Sequence, residues 1–335
     1  MLLAGDVGAT HSRLALLANG GEEPRDLEIY GSRDHASLED MLRAFLAAHP
    51  ADLEAATVGV AGPVRDGRTQ AVNLAWPVDA AAVARVLGLD GSRVSVINDL
   101  EANAWGLQAL GGADLVALNE GDPDDDGTVA LVSAGTGLGE AFVTYGPYGP
   151  AARASEGGHV DFAPRDALQE ELRRWLARTE GHVSYERVCS GMGLVHIYEF
   201  LRERGGDPEP GWLGEERARG GDGPAITEAG LARRDSTASD ALDLMVSIYG
   251  AQAGNLALTV LSTGGVYLGG GIAPRIVERL REGGFMEAFV AKGRMASLLE
   301  RIPVWVILND RAALLGAGLH AAARVDAAGA ADEIS

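Results

Sequence analysis

The chain has 335 residues, more than the ~250–300 at which a single hydrophobic core stops growing, and this length favours two lobes. With 47% hydrophobic and 23% charged residues, it has the composition of a folded protein and not of a disordered one. The formal net charge of −20 argues against nucleic acid or an anionic membrane surface as a partner, because phosphate groups need clustered Lys and Arg.

Single residues and short segments exclude further classes of protein. Cys189 is the only cysteine, which rules out an intramolecular disulfide and a cysteine-based zinc cluster. The start, MLLAGDVGAT, lacks the basic residues and long apolar core of a signal peptide, so we expect a cytoplasmic protein. The uncharged stretch 244–274 contains Gly264-Gly265 and polar side chains, which indicates a buried helix and strand and not a membrane span.

The first half of the chain predicts strands that alternate with helices. It opens with a β-hairpin around the turn GDVGAT at residues 5–10. The predicted strands cover residues 2–4, 14–17, 56–61 and 94–97. The predicted helices cover residues 38–46 after a cap at Ser37, a segment that follows Asp79, and a segment just after Asn98-Asp99.

The same design starts again near residue 128, with the turn SAGTGLG at residues 133–139 and a strand at 141–143. Two strand–turn–strand units half a chain apart predict two lobes of related architecture. Residues 203–224 are rich in Gly, Pro and charge and predict a mobile loop. Further strands are expected at 266–268 and 304–308, and helices at 167–177, 193–202, 239–261, from Pro274 onward, and at 311–324.

Three glycine-rich turns are candidates for phosphate binding: GDVGAT (5–10), SAGTGLG (133–139) and GGG (269–271). Each alone is more often structural, because glycine supplies positive φ in tight turns. Thr10 and Thr136 stand beside the glycines, and exposed amides with a hydroxyl can bind phosphate oxygens without a lysine. Together the turns indicate a phosphate-binding protein.

Other nucleotide and hydrolase motifs do not occur. A Walker A loop needs Gly-Lys-Ser/Thr, and Lys292, the only lysine, is followed by Gly293. The Rossmann spacing does not occur at 135–139, and no serine has the glycine neighbours of a nucleophile elbow. His159 and His182 lack the spacing of a zinc-protease helix. A two-lobed kinase with hairpin phosphate turns remains.

Ordered sequence blocks make the chain resemble the bacterial glucokinases of the hexokinase/actin-like superfamily over nearly its whole length. The blocks are GDVGAT at 5–10, VINDLEA at 96–102, SAGTGLGEA at 133–141, SEGGHVDF at 155–162, GHVSYERVCSG at 181–191 and GGGIAP at 269–274. The resemblance implies an α/β, two-lobed ribonuclease H-like (actin/hexokinase) fold with a cleft between the lobes. Residues 1–110 would form a small α/β domain completed by the carboxy-terminal helix 311–335, and residues 111–310 a large α/β domain.

The resemblance also implies the activity: a cytoplasmic, homodimeric, ATP- and Mg²⁺-dependent kinase of the glucose 6-hydroxyl, at the first step of glycolysis. Asp99 stands where the family has its base. The sugar contacts implied are Asn98, Asp99, Glu156, His159 and Glu186, with Asn73 and Trp76 at the mouth of the sugar site. The ATP contacts implied are Gly5, Asp6, Gly8, Thr10, Gly135, Thr136, Gly137, Gly269, Gly270 and Gly271, and Asp6 would hold Mg²⁺ through water.

The chemistry of these side chains agrees with a sugar site. A hexose presents hydroxyls that both donate and accept, and carboxylates and an amide recognise their positions by paired hydrogen bonds. Without the ordered blocks, Asp99 would be interpreted as a helix cap, Glu156 and Glu186 as solvated, and His159 as a buried histidine with a backbone partner. Trp76 would be interpreted as core.

Two departures from the family pattern and two rival functions stay open. Ala9 stands where relatives usually carry Gly, and His11 where they often carry Asn or Lys; if position 9 needs positive φ, alanine costs about 1 kcal/mol and weakens ATP binding. One rival is a kinase of broader range for other hexoses or amino sugars. The other is a non-catalytic sugar-sensing regulator. A regulator that binds DNA would carry a DNA-binding helix pair before the first strand, and we expect no such pair in this sequence.

Overall fold

The computed structural model describes residues 1–18, 20–69, 74, 76–147, 149–205 and 208–332, with side chains as far as residue 326. The chain divides into two compact units. The first contains Met1–Asp114, Ala152–Ala154 and Asn309–Ser335, and the second contains Leu115–Ala151 and Ser155–Leu308.

Both units contain strands and helices. The strands are β1 (Leu2–Val7), β2 (His11–Leu17), β3 (Asp26–Gly31), β4 (Ala55–Val60), β5 (Arg68–Thr69), β6 (Val78–Asp79), β7 (Val94–Asn98), β8 (Leu115–Ala117), β9 (Val129–Ala134), β10 (Leu138–Gly146), β11 (Gly149–Ser155), β12 (Gly265–Gly269) and β13 (Val304–Ile307). The helices are α1 (Leu38–Ala48), α2 (Ala80–Leu87), α3 (Asp99–Gly106), α4 (Ala167–Leu176), α5 (Gly191–Gly205), α6 (Gly211–Gly220), α7 (Asp222–Leu231), α8 (Ser236–Val260), α9 (Val277–Arg281), α10 (Gly284–Val290), α11 (Ala296–Leu299) and α12 (Ala312–Asp332).

The first unit is built on a sheet of strand order β3-β2-β1-β4-β7. The hairpin β1–β2 is antiparallel, whereas β1, β4 and β7 run parallel. One face of the sheet packs against α1 and α2 through residues such as Leu3, Val58 and Phe45, and the opposite face packs against α12 through Ala4 and Leu314. Because both faces are covered, β4 is buried along its whole length, as parallel strands usually are.

The second unit is built on a sheet of order β11-β10-β9-β12-β13-β8, in which β9, β12 and β13 are parallel and β9–β10 is an antiparallel hairpin. Helix α8 is buried on most of its surface and belongs to the core of this unit. Each unit therefore combines an amino-terminal hairpin with parallel strands covered by helices. The predicted α/β architecture is confirmed.

Several predicted boundaries are confirmed by their caps. Ser37 accepts a hydrogen bond from Asp40 N at the start of α1, Asp79 accepts one from Ala81 N at the start of α2, and Asn98 caps α3. The two glycine-rich turns are shorter than predicted, because Gly5 to Val7 pair within the first sheet and Ser133 pairs within the second. Only three residues remain in each turn.

Three predictions of local structure were wrong. Residues 203–224 were expected to be a mobile loop, but they contain α6 and the start of α7. Helix α6 buries only Leu213 and is held by ion pairs, because Arg217 contacts Glu199, Glu209 and Asp222. The helix expected from Pro274 begins only at Val277, after a series of turns. The last helix runs Ala312–Asp332, longer than the 311–324 expected from the sequence pattern and close to the 311–335 implied by the resemblance. In the ranges that the structure describes, no helix is both long and apolar enough to cross a membrane.

Candidate active site

Asn98 and Asp99 lie at the carboxyl end of β7, where the strand passes directly into α3. Asn98 Oδ1 accepts hydrogen bonds from Leu100 N (2.9 Å) and Glu101 N (3.3 Å), and its Nδ2 donates to Gly62 O (3.0 Å). Asn98, and not Asp99, is therefore the helix cap. Asp99 is the first residue of α3 and is partly exposed, at the helix end whose dipole favours a negative charge.

The parallel strands bring Asp6 to the same edge of this sheet. Asp6 on β1 lies opposite Gly59 on β4, which lies opposite Ile97 on β7, one residue before Asn98. Gly59 also allows α3 to approach, since a Cβ there would lie 2.9 Å from Ala102 Cβ. The edge thus places the first turn and the start of α3 beside each other within the first unit.

Asp6 has charged neighbours that control its ionisation. Burial raises the pKa of the Asp6 carboxyl, the Arg13 guanidinium opposes that shift, and Asp310 adds to it. Arg13 lies 3.6 Å from Asp6 and donates to Asp310 Oδ2 at 2.8 Å, so one cation serves two carboxylates. This pairing places a guanidinium beside the Asp6 carboxyl, near the end of β1 and next to the first turn.

The residues around Asp6 fit the predicted role in magnesium binding. Mg²⁺ prefers oxygen ligands, keeps several waters, and is usually held by one or two carboxylates together with substrate phosphates. The described part of the chain has no group of three His, Cys, Asp or Glu side chains that could enclose a metal. The Asp6 carboxyl, beside the candidate phosphate turn, supplies oxygen ligands of the kind that Mg²⁺ prefers.

The first turn does not use the conformation that Ala9 would disfavour. Positive φ among the described non-glycine residues occurs at Asp66, Arg233 and Leu261, and Ala9 is not one of them. Gly8 N donates to His11 O (3.0 Å), and Ser32 Oγ donates to Gly8 O (2.6 Å). The cost that the sequence attached to Ala9 therefore does not arise.

The second turn and the glycine triplet lie close together in the second unit, where a backbone hydrogen bond joins Ala134, before the turn, to Ile272, after the triplet. Gly135 N donates to Gly137 O (2.9 Å), and Ile272 N donates to Ala134 O (3.1 Å). Gly270 has φ +79°, and a Cβ there would overlap Ala134 O, so glycine is required for two reasons. Thr136 is exposed at the tip of its turn. The two segments form one glycine-lined surface.

Glu156, His159 and Glu186 lie together in the second unit. His159 Nε2 lies 3.9 Å from Glu156 Oε2, and His159 Nδ1 lies 3.9 Å from Glu186 Oε1. The side chains of Glu156 and His159 are 68% and 58% exposed, whereas that of Glu186 is only 21% exposed. His159 is therefore not a buried histidine, and the three side chains form an accessible polar cluster.

Glu186 connects this cluster to the second turn. Its Oε2 accepts a hydrogen bond from Leu138 N at 3.1 Å, and a Cβ at Gly137 would overlap the same oxygen. Its backbone N donates to Gly158 O at 2.9 Å, within the loop that carries Glu156 and His159. One residue thus contacts both the candidate phosphate turn and the candidate sugar loop.

Asn73 and Trp76 were both predicted at the sugar mouth. Asn73 lies outside the described residues. Trp76 is buried in the core of the first unit, and its Nε1 donates to His35 O at 3.2 Å. Trp76 therefore fits its alternative interpretation as a core residue.

Sequence reasoning missed four residues that support the cluster. Ser155 Oγ accepts from Gly157 N (3.1 Å), and a ring nitrogen of His182 lies 2.8 Å from His159 O. Ser190 Oγ donates to Glu186 O (2.7 Å), and Glu140 lies buried beneath Gly157. All four belong to the sequence blocks named above, so their position in those blocks was the available signal.

Comparison with known proteins gives the family. The family model described as Glucokinase matches residues 3–324. The glucokinase of Nostoc punctiforme is 38% identical, covering 96% of this chain and 99% of that protein, and the glucokinase of Synechocystis sp. is also 38% identical, covering 96% and 97%.

Solved structures agree with this match. The structure of a glucokinase from an Antarctic psychrotroph aligns with a TM-score of 0.82 and 29% identity, covering 97% of this chain and 98% of that one. A glucokinase from Balamuthia mandrillaris in complex with glucose aligns with a TM-score of 0.77 at 21% identity, covering 96% and 93%, and supports the fold alone. The full-length sequence match and the shared fold show that this chain belongs to the glucokinase family of sugar kinases.

Proposed function

We propose that the chain transfers the terminal phosphoryl group of ATP to the 6-hydroxyl of glucose. One observation carries the proposal beyond family membership: Glu186 contacts both the turn at Leu138 and the loop of Glu156 and His159. A carboxylate in that place can orient a sugar relative to a phosphate donor, and positioning is the main task of a phosphoryl-transfer enzyme.

The polar cluster supplies the hydrogen bonds that a hexose needs. Glu156 and Glu186 accept from sugar hydroxyls, and His159 donates or accepts according to its tautomer. Asn98 uses Oδ1 for two helix amides and one N–H for Gly62, which leaves its second N–H for a hydroxyl oxygen, counted over the residues that the structure describes. A sugar that lacks a matching hydroxyl would leave one of these groups unpaired and bind more weakly.

Asp99 is the proposed general base. As the 6-hydroxyl oxygen attacks the terminal phosphorus of ATP, its proton passes to a carboxylate oxygen of Asp99, and ADP leaves. The amino-terminal end of α3 favours the ionised carboxylate that this step needs. Because the transition state is loose, the base acts late, and most of the rate enhancement comes from orientation and charge stabilisation.

The glycine-rich turns are the proposed ATP contacts: Gly5, Asp6, Gly8 and Thr10 in the first unit, and Gly135, Thr136, Gly137 and Gly269 to Gly271 in the second. Lys292 donates to Ala251 O and Asn255 Oδ1 and is thereby engaged away from these turns. Mg²⁺ bound to ATP, with Asp6 reaching its water shell, would neutralise phosphate charge. A cytoplasmic location, a homodimer and a role at the first step of glycolysis stay predictions from the resemblance.

A coupled kinase assay with a panel of sugars and phosphate donors tests the proposal. We expect the highest kcat/KM for glucose with ATP, and lower values for mannose, fructose and glucosamine. Higher kcat/KM for another sugar would favour the kinase of broader range. Glucose binding without phosphorylation of any sugar would favour the sensing regulator and contradict the proposal.

A further inference from the structure

A chain of hydrogen-bonded polar side chains in the second unit runs from Glu140 and Gln252, which are buried, to Asn255 and Lys292, which are partly buried. Glu140 Oε1 accepts from Gln252 Nε2 (2.7 Å), Gln252 Oε1 accepts from Asn255 Nδ2 (3.1 Å), and Asn255 Oδ1 accepts from Lys292 Nζ (2.5 Å). A lysine ammonium can only donate and an ionised carboxylate can only accept, so the two ends determine the orientation of both amides. The single lysine of the protein is thus linked to one buried glutamate.

The other oxygen of Glu140 lies against the loop of the polar cluster. A Cβ on Gly157 would overlap Glu140 Oε2, which makes Gly157 a position of close backbone approach. Gly157 N is held by Ser155 Oγ, and Gly157 directly follows Glu156 and precedes His159 by two residues. The Glu140 side chain therefore packs directly against the backbone of this loop at Gly157.

A buried carboxylate is costly unless it is paired and hydrogen-bonded, so Glu140 requires an explanation. Its side chain is 1% exposed, and burial raises its pKa against the opposing hydrogen bond from Gln252. Its titratable neighbours Tyr185, Cys189 and Tyr249 all have raised pKa values, each chiefly through burial, and are neutral near pH 7. Lys292 is the cation at the opposite end of the hydrogen-bonded chain.

Lys292 is charged over most of the neutral range. Burial lowers the pKa of its ammonium to about 8, and Arg165 adds to that effect. Below that pH, the donation from Lys292 polarises Asn255 and Gln252 toward Glu140, as in other buried hydrogen-bond chains. The two amides therefore connect a cation to the carboxylate under the loop.

We infer that Glu140 is a positioning residue for glucose, whose carboxylate, held by Lys292 through Asn255 and Gln252, sets the position of Gly157 and with it Glu156 and His159. The inference rests on the proposed function, because it assumes that Glu156 and His159 bind the sugar. Glu140 itself touches neither substrate. It acts on glucose binding and not on ATP binding or on the phosphoryl-transfer step.

A double-mutant cycle tests the inference. Glu140→Gln, Lys292→Met and the double variant are assayed for glucose KM, ATP KM and kcat. We expect each single variant to raise the glucose KM about tenfold, as for a buried partner left unpaired, with ATP KM and kcat within about twofold. The double variant should raise it no more than the larger single effect, because both changes break the same chain.

Tyr249→Phe is the matched control. It removes another buried hydrogen bond of the same core, from Tyr249 Oη to Val132 O (3.0 Å), and breaks none of the hydrogen bonds between Glu140, Gln252, Asn255 and Lys292. We expect a lower melting temperature in this variant and an unchanged glucose KM. Additive effects in the cycle, or an unchanged glucose KM in Glu140→Gln, would overturn the inference. If Glu140→Gln does not fold, an unchanged glucose KM in folded Lys292→Met overturns it equally.

Glu156→Gln separates failure of this inference from failure of the proposed function. If Glu156→Gln raises the glucose KM and Glu140→Gln does not, the sugar site stands and the inference is wrong. If neither variant changes the glucose KM, the proposed sugar contacts are wrong and the inference falls with them.

Discussion

Among single residues, Glu186 has the contacts that most restrict its role. One carboxylate oxygen accepts from Leu138 N, the other lies 3.9 Å from His159, and the backbone is held by Gly158 O and Ser190 Oγ. Glu156, by contrast, lies 3.9 Å from His159 and is mostly exposed. We therefore expect Glu186 to affect both glucose and ATP binding, and Glu156 to affect glucose binding.

Replacing these glutamates should separate sugar binding from phosphate binding. Glu186→Ala removes the acceptor of Leu138 N and a neighbour of His159. Each buried group left unpaired costs roughly 1–3 kcal/mol. We therefore expect the glucose KM to rise about a hundredfold and the ATP KM to rise a few-fold. Glu156→Ala, the control, should raise only the glucose KM. Equal effects of the two variants on the ATP KM would contradict the connection made by Glu186.

The sequence indicated most of these residues but not how they are connected. Asn98, Glu156, His159 and Glu186 were assigned because their short segments follow in a recognisable order. The partnership of Glu140 with Gln252 spans 112 positions and has no local pattern. The order of the sequence blocks therefore indicated the candidate sugar contacts, whereas the contact of Glu140 with Gln252 is visible only in the folded core.

At the scale of elements, the contact between α3 and α12 positions the proposed base. Gly316 on α12 faces Ala102 on α3, where a Cβ would overlap Ala102 O, and Gly106 faces Ala312 O in the same way. Close helix packing of this kind needs glycine at the crossing. Since α3 begins at Asp99, its position against α12 also sets the position of that carboxylate.

Gly316→Ala tests this packing. The added methyl must push α3 away from α12, so we expect a loss of about 1–3 kcal/mol in unfolding free energy and a lower kcat. Gly91→Ala, in the same unit and with no neighbour within 4 Å of its added Cβ, should change neither. Denaturant unfolding and the coupled assay measure the two effects; a stable Gly316→Ala variant with full kcat would contradict the argument.

Elements whose stability comes from apolar periodicity were predicted well, and others were not. Helix α1 has a cap and a regular buried face, and its predicted start was correct. Helix α6 buries only Leu213 and is held by the ion pairs of Arg217, which no hydrophobic period reveals. The prediction of a loop failed there because the sequence pattern does not show which acidic residues pair with Arg217.

At the scale of the whole molecule, helix α12, from the carboxy-terminal part of the chain, packs against the first sheet. His320 Nδ1 lies 3.0 Å from Thr57 Oγ1 on β4, and its ring contacts Trp105 edge-on with centroids 5.4 Å apart. Burial lowers the pKa of His320 from 6.5 to about 4, and Arg324 adds to this shift. His320 is therefore neutral at pH 7 in the folded protein, and it binds a proton when the protein unfolds in acid.

This histidine predicts a specific acid sensitivity. Between pH 6.5 and about 4 the unfolded chain binds a proton at His320 that the folded chain does not, so unfolding free energy falls as the pH falls through that window. His320→Gln keeps a polar partner for Thr57 without titrating there, and its stability should fall less over the same window. Denaturant titrations at pH 4.5 and 7 measure the difference; parallel pH profiles in both proteins would contradict the assignment.

The overall architecture was predictable because it depends on features that repeat. Two hairpins with glycine turns, parallel apolar strands and a closing helix are all visible in the chain and occur in the two units. The division into a small and a large domain stays a prediction. What the sequence did not reveal are the contacts that join distant segments, such as Thr57 with His320 and Asn255 with Lys292.

The most direct test of the account is Asp99→Asn, which keeps the shape of the side chain and removes its ability to accept the proton of the 6-hydroxyl. Glucose affinity is measured by calorimetry, and kcat by the coupled assay. We predict a glucose Kd within about threefold of the unsubstituted protein and a kcat lower by about 10²–10⁴, as for loss of a general base. Full kcat in Asp99→Asn would contradict the central claim.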